Sequence, residues 1–140
     1  MLKHFSKISW FGVVLSLLFF SILGWLYFTV WFPDQYAASL DKLGKMALEP
    51  DPIYFYGPPL TILPTLIVTA WLMVALNITS GKGAAELGLI VGLGYLVANT
   101  FDIAINPNIP HPGRYGVLVG GFQMIGILIS CMIMWRFRKK

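Results

Sequence analysis

Long apolar runs between widely spaced charges set the pattern of this chain. No charged side chain falls between Lys7 and Asp34, between Asp51 and Lys82, between Glu86 and Asp102, or between Arg114 and Arg136. A helix that crosses a bilayer needs about 20 mostly apolar residues, so three of these gaps are long enough outright and the one after Glu86 is short. The pattern predicts an all-α membrane protein: an up-down bundle of four transmembrane helices in one domain, with spans at about 9–32, 59–77, 84–105 and 115–135.

Within the third run, Ala85, Gly88, Gly92, Tyr95, Asn99, Asp102 and Asn106 recur at alternating spacings of three and four, which draws one seam along an α-helix. The seam is small at one end and polar at the other, while Leu, Ile, Val and Phe fill much of the rest. A soluble helix shows the reverse, an apolar stripe on a polar rod. The expected arrangement therefore turns the seam toward other helices and the apolar side toward lipid. The fourth run repeats the rhythm in Gly116, Gly120, Gln123, Ile127 and Ser130, so Gly88, Gly92, Gly116 and Gly120 are expected to pack the two spans closely.

The segments between the runs fit this layout. Lys3 and Lys7 ahead of an apolar run resemble a secretory signal, but the run continues through Gly24, Trp25, Tyr27 and Trp31 without a small-x-small cleavage pattern, as an uncleaved first span would. Trp10 marks its near interface, the later aromatics its far one, and Pro33 ends it. After it, Tyr36, Leu40, Leu43 and Ala47 fall at helical spacing, predicting a short interfacial amphipathic helix, with Gly44 a weak point. Glu49-Pro50-Asp51-Pro52 breaks that helix, and Tyr54, Phe55 and Tyr56 lead back through an aromatic belt. Pro59 suits the first turn of the second span and Pro64 a bend, and Thr61, Thr65 and Thr69 can bond their own backbone. The short loop after Leu76 makes spans two and three an antiparallel hairpin. Its Gly81-Lys82-Gly83 lacks the earlier glycine and the following hydroxyl of a phosphate-binding loop. Glu86 suits the N-terminal dipole of the third span.

Composition sharpens the class. The 140 residues are 57% hydrophobic and 11% charged, too few charges to coat a soluble surface. The net charge of +4 sits at helix ends with no aromatic-basic surface for a strand, which excludes nucleic acid as the partner and leaves the lipid bilayer. Lys3, Lys7, Lys82, Arg136, Arg138, Lys139 and Lys140 fall on one side, Lys42, Lys45 and Arg114 on the other; seven against three puts both termini in the cytoplasm. The single cysteine, Cys131, excludes an intrachain disulfide and reads as a small packing residue.

Candidate chemistry is sparse. Asp102 lies sixteen positions from Glu86, about 24 Å along a helix and less than the ~30 Å hydrocarbon core, so at least one of the two is drawn inward. An intramembrane acid is a site candidate; the structural reading pairs Asp102 with Arg114 or His111 and pins the third and fourth spans together. Asn99 and Gln123 lie at equal expected depth, about 12 Å below one face, and can hydrogen-bond as structural glue or, with Tyr95, form a polar substrate site. His4 and His111 fall outside the runs, so no imidazole pair offers a haem site. No His, Cys and acid cluster has metal-ligand spacing, and Met124, Met132 and Met134 read as lipid-facing or packing residues rather than copper ligands. No cofactor, metal or catalytic residue is expected.

The layout resembles a family of small bacterial four-span integral membrane proteins of unknown function. The resemblance rests on Gly24-Trp25-Leu26-Tyr27 closing the first span, the amphipathic stretch after it, Asn99-Thr100-Phe101-Asp102 late in the third span, and a Gly-rich last span. It implies the architecture and supplies no catalytic residues. The expected role is a structural or accessory component of an assembly in a bacterial cytoplasmic (inner) membrane, not an enzyme, associating with itself or a larger membrane complex. One alternative is a small proton-coupled transporter, although the acid that four-span drug exporters place in mid-span one is replaced here by Leu, Phe and Ser. The other is a binder of a lipid-like or tetrapyrrole ligand near Trp25, Trp71 and Tyr95.

Overall fold

The computed structural model describes residues 2–45 and 51–139. Ala47 of the expected interfacial helix, Glu49 and Pro50 of the break after it, and Lys140 lie outside the described residues, as do the side chains of Lys3 and Tyr54.

A short α1 (Leu2–Phe5) precedes α2 (Trp10–Trp25), whose N-terminus is capped by Ser9: its hydroxyl accepts from the Gly12 N–H at 3.3 Å. The helix then widens into a π-helical segment, Leu26–Trp31, in which the Phe32 N–H reaches five residues back to the Tyr27 carbonyl at 2.9 Å. Pro33 opens α3 (Pro33–Ser39), the short helix expected after the first span. It stops well before Leu43. The turn is closed by Asp41 in the left-handed region at φ 52°, the Asp41 N–H bonding the Ala38 carbonyl at 3.3 Å and the Lys42 N–H the Ala37 carbonyl at 2.8 Å. With Ala37 and Ser39 buried and the Tyr36 ring 6.3 Å from that of Tyr115, α3 packs on the start of the last helix.

The second span begins earlier than the prolines suggested: α4 (Ile53–Ala75) contains Pro58, Pro59 and Pro64 within it. Asp51 Oδ1 accepts from the Ile53 N–H at 2.8 Å and satisfies one donor of the first turn, and each internal proline then forgoes one helical bond. Threonines bond back onto this helix, Thr61 to the Pro58 carbonyl at 3.0 Å and Thr69 to that of Thr65 at 2.7 Å. It ends on Asn77, also left-handed at φ 51°, with the Ile78 N–H on the Met73 carbonyl.

Ser80 caps α5 (Gly81–Val91) by accepting from the Gly83 N–H at 3.0 Å, so Gly81-Lys82-Gly83 is a helix first turn. A second π-helical segment, Gly92–Val97, links it to α6 (Ala98–Ala104), and α7 (Pro112–Arg136) completes the chain with Pro112 in its first turn. Among the described residues four helices are long and apolar enough to cross a membrane: Trp10–Trp31, Phe55–Ala75, Gly81–Ala104 and Pro112–Arg136. The fourth span lies between the first and the third, and the second packs on the outside of the first; spans two and three, although joined by a short loop, scarcely meet.

Two antiparallel seams hold the fourth span. Against the first span, a Cβ on Gly12 would stand 3.3 Å from the Met134 Cα, and the Ser16 hydroxyl donates to the Ser130 carbonyl at 3.2 Å. Farther along, Phe20 lies over Gly126 and Phe122 over Gly24, with Cβ atoms there falling 2.5 Å and 3.2 Å from the rings. Each contact steps up by four residues on one helix and down by four on the other, and at the two aromatic steps large meets small. In lipid, where apolar burial gives no drive for association, such close backbone approach is what joins helices. Against the third span the seam runs Gly88 to Leu128, Gly92 to Met124, Val97 to Gly120 and Phe101 to Gly116. The fourth span again moves in steps of four, but the third takes one step of five, from Gly92 to Val97. The π-helical segment holds that extra residue.

Candidate functional site

The extra residue decides which side chains of the third span face the bundle. In a straight α-helix a row spaced by four drifts about 40° per step, whereas a π-helical turn carries more residues and turns the row back. Gly92, Leu96, Thr100 and Ala104 are consequently buried, while Tyr95, Asn99, Asp102 and Asn106 point outward. Beyond Gly92, the seam read from alternating spacings of three and four is thus off by one residue. The expected Asn99–Gln123 pair is replaced by Thr100–Gln123: Thr100 Oγ1 lies 2.8 Å from Gln123 Oε1 and 2.8 Å from the Leu96 carbonyl. A hydroxyl carries one proton. Both contacts are satisfied with the Gln123 amide turned so that its NH2 donates to Oγ1, while Thr100 donates to Leu96.

Asp102 is displaced in the same way. His111, which precedes the first turn of α7, pairs with Asp41: Nε2 to Oδ1 is 3.0 Å. Among the described residues the ion pair of permanent charges is Lys82 with Glu86 at 3.8 Å, and the expected contact joining Asp102 to Arg114 or His111 is absent. Arg114 and Asp102 are both exposed. The residue that sequence reasoning missed is Asp41. Its left-handed cap conformation aims it back toward the fourth span, and the only local signal was a charged residue at the end of a short helix.

The outward face of the third span combines polar and small groups. Tyr95 is 61% exposed, Asn99 and Asp102 follow it at helical spacing, and Gly94 and Ala98 flank them. A Cβ at Gly94 would meet nothing within 4 Å, so this face is vacant in the single chain. Exposed Ile90, Leu93 and Ile103 stand beside it. Because helical side chains lean toward the N-terminus, Tyr95 and Asn99 are directed away from the Ala104 end of the span and deeper into its apolar length. Asparagine offers two donors and an acceptor there, tyrosine one donor and an acceptor, and Asp102 a carboxylate. Trp25, like Tyr95, is more than half exposed. Among the described residues no cluster of His, Cys, Asp and Glu is arranged to hold a metal.

Four apolar helices of spanning length, the first and third fastened to the fourth by glycine seams, define the class: a small multi-span helical bundle of membrane type. The chain belongs to the family described as Protein of unknown function (DUF1761), whose model matches residues 11–135, from the first turn of the first span to the end of the fourth. No curated protein and no solved structure matches it.

Proposed function

We propose that the protein is a non-catalytic accessory component of an assembly in a bacterial cytoplasmic membrane and that it self-associates through the outward polar face of its third span. The observation that carries this reading is the outward placement of Tyr95, Asn99 and Asp102 on an otherwise apolar surface. Polar groups facing hydrocarbon without partners are costly. A two-fold related copy presents the same face, and an asparagine amide, being donor and acceptor at once, pairs with its own symmetry mate. Gly94 and Ala98 beside it permit the close approach such a pair requires. The excess of Lys and Arg at the ends of the chain and at Lys82 supports an orientation with both termini in the cytoplasm.

Single-molecule photobleaching of the full chain in nanodiscs tests the reading. Two bleaching steps are expected for the wild type, and Asn99→Leu or Gly94→Leu should each weaken association by about 0.6–2 kcal/mol without lowering thermal stability. A wild-type chain that bleaches in one step at every protein-to-lipid ratio would sink it.

A further inference from the structure

At the end of the bundle that holds both termini, a groove of about 820 Å³ opens between the N-terminal tail, the last turn of α4 with the loop after it, and the last turns of α7. Its two halves differ in chemistry. The wall formed by the spans is apolar, from Ala70, Met73, Val74 and Met134. The rim formed by the tails is cationic, from Lys7, Arg138 and Lys139, with His4 beside them, and among the described residues no Asp or Glu lines the groove. Two of the rim cations are held in place by groups that do not neutralise them: Lys139 Nζ donates to the Ser6 carbonyl at 3.0 Å and Arg138 Nη1 to the Ile78 carbonyl at 3.3 Å. Each keeps further N–H donors free, since an ammonium has three and a guanidinium five. His4 stands edge-on to the Trp71 ring at 6.3 Å, which fixes the fourth corner.

Cations gathered without acids require an anion, and the Arg fork with two lysines suits phosphate oxygens. The apolar wall directly below that rim offers contact to a hydrocarbon portion, which a small soluble anion lacks. Basic pockets between spanning helices, at the level of the lipid headgroups, take anionic headgroups in this manner. The volume lies within the roughly 300–1,000 Å³ of small-ligand clefts, enough for a headgroup and glycerol with the acyl chains leaving along the spans. We infer that this groove binds one anionic phospholipid, its phosphate on Lys7, Arg138 and Lys139 and its glycerol and upper acyl carbons on Met73, Val74 and Met134. The site lies apart from the outward face of the third span and does not depend on self-association.

The test is native mass spectrometry of the full chain released from nanodiscs of equal phosphatidylglycerol and phosphatidylcholine. Phosphatidylglycerol should be retained preferentially, and Lys7→Gln/Lys139→Gln should reduce that preference about tenfold. Lys42→Gln/Lys45→Gln, which removes the same charge from exposed positions elsewhere, should leave it unchanged. Should the double variant unfold, Lys7→Gln alone is expected to reduce retention about threefold. Equal retention of the two lipids, or equal loss in the Lys42/Lys45 variant, overturns the inference. Thermal melts in detergent separate the sources of phosphate: protection by short-chain phosphatidylglycerol well beyond that of inorganic phosphate supports the lipid, and equal protection by inorganic phosphate alone overturns it.

Discussion

Thr100 and Gln123 meet across the third and fourth spans, with Oγ1 and the side-chain amide 2.8 Å apart, one helical position away from the asparagine that the spacing of the chain had offered for the same contact. Replacing Thr100 by Val leaves the Gln123 amide without that partner inside the bundle. The expected loss is about 0.6–2 kcal/mol, and Thr100→Val combined with Gln123→Leu should recover part of it, since no polar group is then left unpaired. Unfolding equilibria of the two single variants and the double form the cycle that measures the coupling. Asn99→Leu, by comparison, should leave the stability of the isolated chain unchanged.

The aromatic steps of the first and fourth spans predict a size dependence. A methyl group added at Gly126 would fall 2.5 Å from the Phe20 ring, a side chain itself only 4% exposed, so Gly126→Ala should destabilise by about 1–3 kcal/mol. Phe20→Leu in the same background should regain stability, because the shorter side chain vacates the space that the new methyl needs. Thermal unfolding in a fixed detergent measures both. If Gly126→Ala melts like the wild type, Phe20 does not occupy the hollow above that glycine.

Asp102 faces outward and forms no ion pair with Arg114 or His111, so Asp102→Asn should change the stability of the monomer by no more than about 0.5 kcal/mol. Asp41→Asn removes the charge that His111 contacts, an exposed pair of about 0.2–1 kcal/mol, and should loosen α3 from the start of the fourth span. Limited proteolysis between Ser39 and Lys45 reports that loosening. Faster cleavage is expected in the Asp41 variant and unchanged cleavage in the Asp102 variant.

Orientation is open to a direct measurement. Under the proposed orientation, reporter fusions at the carboxyl terminus and at Gly44 should give cytoplasmic and periplasmic signals respectively. A periplasmic carboxyl terminus would reverse it.

The spans were legible because a run of apolar residues without charge has few other uses, and the four glycines expected between the third and fourth spans do lie on the faces that meet. The rotation of the outer half of the third span was not. A π-helical turn arises when packing is better served by one inserted residue, here between Gly92 and Val97, and neither propensity nor spacing announces it. From that single residue follow the exchange of Asn99 for Thr100 and the outward turn of Asp102. The start of the second span was hidden for another reason. Pro59 read as a helix start, but a helix begun at Ile53, with Asp51 accepting a first-turn N–H, carries it and Pro58 one turn later. Asp41 and His111 are seventy positions apart, beyond any local pattern.

Because the fourth span stands between the first and the third, those two close on a helix synthesised after both of them. During synthesis the first three spans enter the membrane with Gly12, Ser16, Phe20, Gly88 and Phe101 all lacking the surface they fit. Only the second has its neighbour, the first, already in place. The first and second spans have each other from the start, whereas both glycine seams close only when the fourth span has followed, and a chain truncated before Gly116 keeps both seams open.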